Sequence, residues 1–205
     1  MSSTGGSVNI ARHLSRMAAK RPDAAAILFP RKGATRTMSY AELDSDSGLL
    51  ARGLEAAGIG RGTRTVLMVR PGPEFFALTF ALFKTGAVPV LVDPGMGIRS
   101  LGACLAEARP EAFIGIPTAH AARVLLGWAK DTLKTWIAVG PRLAPWMRTL
   151  PELRRLGQGG SLEAVSTASD ETAAILFTSG STGAPKGAVY TNANFSAQVD
   201  FLGRH

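Results

Sequence analysis

The sequence predicts an α/β fold in which a mostly parallel sheet is covered by helices on both faces. Two observations lead there. From Arg64 onward, short apolar runs alternate with helical patterns at a spacing of roughly 20–25 residues, the rhythm of strand–helix–strand units. The runs are continuous rather than alternating in apolar residues, as strands buried on both faces must be. In such sheets ligands sit beyond the carboxyl ends of the strands. With 205 residues the chain is long enough to bury a substantial core as one large domain or two small ones.

Residues 1–63 form an opening half with a different character. Ile10, Leu14, Met17 and Ala18 make one helical stripe, and Pro22 ends it. Ala24 to Phe29 reads as a strand, and Arg31-Lys32-Gly33 turns into a second strand ending near Met38. Ser39 and Glu42 are spaced as a capping box opening a helix through about Ala57, with Leu43, Leu50, Leu54 and Ala57 on its buried face.

Residues 64–205 carry the repeated units. Thr65–Val69 is a strand, and Pro71-Gly72-Pro73 breaks the chain. Glu74–Thr85 is apolar nearly all round, as in a helix buried on several sides, and Gly86 stops it. Ala87–Val92 is a strand, Arg99–Ala108 a helix, Ala112–Ile116 a strand, Thr118–Lys130 a helix and Thr135–Val139 a strand. The Pro- and Gly-rich segment 141–170 is expected to hold one short helix near Trp146, then a loop or strand leading to Asp170. Ala173–Phe177 is a strand and Gly187–Tyr190 a short extended stretch. Thr191 or Asn192 caps a final helix running into Phe201.

The chemistry is concentrated between the last two extended stretches. Thr178-Ser179-Gly180-Ser181-Thr182-Gly183-Ala184-Pro185-Lys186 follows an apolar run. Glycines let backbone N–H groups turn into a concavity, hydroxyls add donors and the lysine adds a point charge, the parts needed to hold a polyphosphate. A solvent-facing Ser/Gly turn is the plainer alternative. The spacing is not that of a Walker loop, because Pro185 stands where the second glycine belongs and Gly187 where the Ser or Thr belongs.

Other chemistries find little footing. His13, His120 and His205 make no pair with metal-ligand spacing and read as surface or helix-end residues. No metal-ligating residue is nominated. Ser181 lacks a hydrolase elbow, and the lone Cys104 reads as a structural thiol on a helix. The net charge of +8 is carried mainly by scattered arginines without interleaved aromatics, so nucleic acid is not an expected partner. No apolar run approaches a membrane span and Met1–Ser7 lacks a signal-peptide core, so the expected setting is cytoplasmic.

Ile175 to Lys186 resembles the phosphate-loop signature of the AMP-forming adenylating enzymes, the superfamily of acyl-CoA synthetases, peptide-synthetase adenylation domains and luciferases. Two further stretches fit that family in its order: Met38-Ser39-Tyr40-Ala41-Glu42-Leu43, and Leu82 to Val90 with its Gly86-Ala87 and Pro89. Bottom-up, both are a helix start and a helix stop, so neither is assigned a catalytic role. The resemblance implies ATP-dependent adenylation of a carboxylic acid with release of pyrophosphate. Thr178, Ser179, Gly180, Ser181, Thr182, Gly183 and Lys186 would hold the nucleotide's phosphates, with Mg²⁺ accompanying ATP. Residues 92–99 and 105–117 are similar to the olefin-biosynthesis branch, the β-lactone synthetases. That branch implies a long-chain fatty or β-hydroxy fatty acid as substrate, and a complex with other hydrocarbon-biosynthesis enzymes. Plain transfer of the acyl group to CoA is the alternative, and a catalytically silent nucleotide- or partner-binding domain a further one. The family is longer than this chain. The resemblance therefore implies an incomplete N-terminal AMP-binding domain over 1–205, with the C-terminal domain and the catalytic residues expected beyond residue 205.

Overall fold

The computed structural model describes residues 8–31, 33–178 and 186–203. The opening half contains helix α1 (Ala11–Lys20), the strands β1 (Ala25–Arg31) and β2 (Ala34–Ser39), and helix α2 (Tyr40–Ala56). The two strands pair with each other as a separate antiparallel ribbon. The expected capping box is present: Glu42 N–H donates to Ser39 Oγ, and Ser39 N–H donates to the Glu42 carboxylate.

The remainder contains β3 (Arg64–Met68), α3 (Pro73–Thr85), β4 (Val88–Val92), a 3-10 turn at Pro94–Met96 and α4 (Ile98–Ala108). There follow β5 (Ala112–Gly115), α5 (Pro117–Leu126), β6 (Thr135–Ala138), β7 (Arg148–Thr149), α6 (Leu150–Leu156), β8 (Thr172–Thr178), β9 (Lys186–Thr191) and α7 (Asn192–Leu202). Seven strands form one sheet in the order β7-β6-β5-β3-β4-β8-β9. All neighbours are parallel except β8 and β9, which form an antiparallel hairpin at the edge. The chain starts this sheet at its centre with β3, places β4 on one side and then returns to place β5 on the other. Successive crossovers therefore diverge there, and a crevice opens beyond the strand ends.

Each face of the sheet has its own core, as continuous apolar strands require. On one face Leu67, Ala112, Ile114 and Ile137 pack with residues of α1, α2, α3 and α6. On the other, Val66, Val90, Phe113, Ile175 and Phe177 pack against α4 through Leu101, Cys104 and Leu105, and against Trp128. Cys104 is buried here, in keeping with a structural thiol.

Three expectations need correction. The short helix lies at 150–156, not around Trp146, which is exposed in an irregular segment. Pro141 and Pro145 interrupt that segment, while Thr149 and Glu152 bond reciprocally and start the helix three residues later than Trp146. The helix expected to reach Lys130 stops at Leu126, where Gly127 adopts a left-handed conformation. His120 does lie in the first turn of α5, but its side chain is buried rather than on the surface.

Candidate functional site

The stretch singled out for phosphate binding is held at both ends by the sheet. Thr178 is the last residue of β8 and Lys186 the first of β9, and they are register partners. Ser179, Gly180, Ser181, Thr182 and Gly183 lie outside the described residues. The lysine thus opens a strand and not a helix.

The hairpin has a close approach built into it. Phe177 and Gly187 oppose each other, and a Cβ on Gly187 would lie 2.8 Å from the Cε1 and Cζ atoms of the Phe177 ring. Only glycine leaves space for the ring to lie over β9. Phe177 is thereby buried in the α4-side core and holds β9 against β8 one step from the loop.

Successive strand residues face opposite sides, so Thr178 shares the face of Leu176. Leu176 lines a cleft of about 430 Å³ at the carboxyl ends of β3, β4, β5 and β8, with Met68, Phe75, Leu91, Ile116 and Ala119 among its walls. The cleft lies where the sheet order reverses, and its lining is largely apolar. Its charged contributors are Arg70 and Asp93. Asp93 binds the two strand ends together: its N–H donates to Phe177 O at 3.2 Å. Its Oδ1 accepts from Gly95 N–H at 2.8 Å, capping the 3-10 turn at Pro94–Met96.

The root of the hairpin is secured by a residue whose role was not readable from the sequence. Asn192 is 4% exposed and its Nδ2 donates to Ala168 O and Glu171 O, both at 3.3 Å. Its own N–H donates to Glu171 O, and Thr191 caps α7 through Asn194 N–H. Glu171 is held below the usual carboxylate range, first by the Ala168 N–H that it accepts at 2.7 Å and then by Arg61. Beyond the cap, Phe195 stacks on Tyr190 and meets Phe83 edge-on, docking α7 on β9 and α3. The signal that a search could use is an Asn directly after a Thr cap, pointing back at a preceding chain segment.

His120 belongs to the scaffold behind the cleft. Its Nε2 bonds Ile137 O at 2.9 Å, its ring packs on Phe113, and burial pushes its pKa down. Among the described residues, no group of three or more His, Cys, Asp or Glu side chains is placed to hold a metal ion. No helix among them is long and apolar enough to cross a membrane.

Comparison with known proteins bears on this geometry. The family profile described as "AMP-binding enzyme" matches residues 14–204. The chain is 52% identical over 203 residues to the olefin beta-lactone synthetase of Stenotrophomonas maltophilia, covering 95% of this chain and 37% of that protein. It is 53% identical over 201 residues to the olefin beta-lactone synthetase of Xanthomonas campestris pv. campestris, covering 95% of this chain and 36% of that protein. Among solved structures, an anthranilate CoA ligase in complex with anthranoyl-AMP matches with a TM-score of 0.84 at 18% identity, over 97% of this chain and 37% of that one. A likeness at that identity is one of fold. The chain spans just over a third of the length of the curated relatives it matches.

Proposed function

This chain belongs to the AMP-binding enzyme family, and on that premise we propose that it forms the N-terminal part of an adenylating ligase. Residues 1–63 would be the supporting half and 64–205 the sheet that carries the phosphate loop. The reaction proposed is attack by a carboxylate oxygen on the α-phosphorus of ATP. The bond from that phosphorus to the oxygen bridging to the β-phosphate breaks, and pyrophosphate leaves with the electron pair. The observation that carries this reading is the Gly- and hydroxyl-rich stretch strung between Thr178 and Lys186, two paired residues at the carboxyl edge of a parallel sheet.

Negative charge grows on the departing pyrophosphate, so donors fixed in advance at that position lower the barrier. We assign this work to Thr178, Ser179, Ser181 and Thr182, to the N–H groups of Gly180 and Gly183, and to the Lys186 ammonium. The small residue at 187 fits a loop whose strands must approach closely beside its ligand. Mg²⁺ is assigned to the nucleotide, as the counter-ion of its phosphates.

For the substrate we favour a long-chain β-hydroxy fatty acid, on the strength of 52% and 53% identity to proteins named olefin beta-lactone synthetases. The β-hydroxyl oxygen would then attack the acyl carbon, releasing AMP, losing its proton and closing a four-membered lactone. Transfer to CoA would instead give a thioester. We place the enzyme in the cytoplasm, with other hydrocarbon-biosynthesis enzymes as partners.

The test is carboxylate-dependent exchange between ATP and labelled pyrophosphate by a protein containing this segment, followed by product analysis with a long-chain 3-hydroxy acid. Exchange with formation of a β-lactone is expected. Thioester formation only when CoA is added would move the protein to the alternative branch, and no exchange with any long-chain acid would overturn the adenylation reading.

A further inference from the structure

A second cleft, of about 640 Å³, lies among α1, α2, α3 and residues 161–164, apart from the hairpin and its crevice. Its walls come from four distant parts of the sequence: Arg12, Ser15 and Arg16 on α1, Asp44 on α2, Lys84 on α3, and Ser161 on the irregular segment. Two backbone bonds pin that last wall in place, from Leu162 N–H to Gly48 O and from Val165 N–H to Lys84 O.

Lys84 is unusual for its depth. Its side chain is 2% exposed, a position that lysine occupies only when its charge is met. The ammonium donates to Asp44 O at 2.7 Å and to Asp44 Oδ1 at 2.9 Å, and Ser15 Oγ donates to the same carboxylate oxygen at 2.8 Å. An ammonium has three N–H donors, and the third has no partner among the described residues. Gly48 makes room for this arrangement: a Cβ there would fall 1.9 Å from Ser161 Oγ and 3.3 Å from Lys84 Nζ. The ammonium, the hydroxyl and the helix backbone therefore converge on one spot at the cleft floor.

Arg12 and Arg16 stand one turn apart on α1 and line the same cleft. Neither guanidinium has a hydrogen bond or ion pair among the described residues. The cleft's acids are Asp44, already engaged by Lys84, and Glu163 on the exposed rim. Positive charge is in excess at the floor and wall, and the donors outnumber the acceptors.

We infer that this cleft is an anion-binding site for a phosphate-type oxyanion, separate from the loop at Thr178–Lys186. Two guanidiniums, a spare ammonium N–H and the Ser161 hydroxyl offer more donors than the two oxygens of a carboxylate can accept. A tetrahedral oxyanion, free or as the terminal phosphate of a larger molecule, uses them more fully.

The experiment is titration of the isotope-labelled protein with inorganic phosphate, followed by amide chemical shifts in chloride-poor buffer, with acetate and pyrophosphate as comparison arms. Saturable shifts centred on residues 12–16 and 161–164 are expected. Loss of two charge-assisted contacts should weaken phosphate binding by at least about tenfold in an Arg12→Ala/Arg16→Ala double variant. Both side chains reach from a helix surface, and an unchanged spectrum away from the cleft would establish that the fold is retained. Lys186→Ala should leave these shifts in place, which separates this site from the phosphate loop. Tighter binding of pyrophosphate than phosphate at the same amides would point to a free polyphosphate as the occupant. Equal affinity for both would point to a terminal phosphate. The inference is overturned if the double variant binds as the parent does, if acetate matches phosphate, or if no shift at these residues saturates.

Discussion

Phe177 and Gly187 face each other across the β8–β9 hairpin, and the ring occupies the volume that any side chain at 187 would need. A Gly187→Ala change puts a methyl into that contact, so either the ring leaves the α4-side core or β9 moves away from β8. A loss of about 1–3 kcal/mol in urea unfolding is expected, the usual cost of overpacking. Adenylation should fall in the folded enzyme as well, because the displaced strand begins at Lys186.

Lys186→Ala separates chemistry from stability. Removing one donor aimed at developing charge costs on the order of 10²–10³ in turnover. Pyrophosphate exchange should drop on that scale, while the unfolding free energy moves by no more than about 0.5 kcal/mol. Unchanged exchange would remove the lysine from the proposed mechanism.

Asn192→Leu tests the root of the hairpin. The substitution takes the side-chain donor from Ala168 O and Glu171 O, while each carbonyl keeps a backbone donor, Glu171 N–H and Asn192 N–H respectively. A loss of about 0.5–1.5 kcal/mol is expected, the usual net contribution of an intramolecular hydrogen bond. Hydrogen exchange should quicken in β9 and α7 before it does in β3 or β5.

Lys84→Met leaves Asp44 without its cation while keeping the apolar stem. Because the Lys84 side chain is 2% exposed and that of Asp44 27%, most of the penalty for breaking a buried pair applies. A destabilisation of about 3 kcal/mol is expected by denaturant titration. Asp44→Asn should be milder, since Asp44 O still accepts from Lys84.

His120 sets a pH dependence. Burial is the main cause of its lowered pKa, opposed by the bond to Ile137 O and reinforced by Arg123. The unfolded chain therefore binds the proton more readily than the folded one. The stability tied to neutral His120 is complete above 6.5 and declines as pH falls below it toward the folded value, by at most about 1.4 kcal/mol per pH unit. His120→Gln should flatten that part of the profile; an unchanged profile would show that another group titrates there.

How far the sequence could be read depended on whether the signal was local. The capping boxes and the glycine that ends α3 are written in neighbouring residues. Buried strands such as Thr65–Val69 and Ala173–Phe177 announce themselves because both faces must be apolar. Local signals also misled: the Pro-rich region near Trp146 suggested a helix that Thr149 and Glu152 in fact begin further on. His120, with no apolar pattern demanding burial, reads as a surface or helix-end residue; it does lie at the helix start, and only the arrival of β6 beneath α5 buries it.

The sequence by itself determined the alternating α/β rhythm, the segment boundaries to within a few residues, and the Thr178–Lys186 stretch with its non-Walker spacing. These depend on short-range sterics and on hydrophobic periodicity, which a linear chain displays. Only the tertiary structure decided that β9 runs antiparallel to β8 and that Gly187 lies under the Phe177 ring. It alone brought Asn192 to the carbonyls of Ala168 and Glu171, and Arg12, Lys84 and Ser161 into one cleft. Those pairings join residues far apart in sequence, and they come about through sheet order and close packing, which no short window of residues contains.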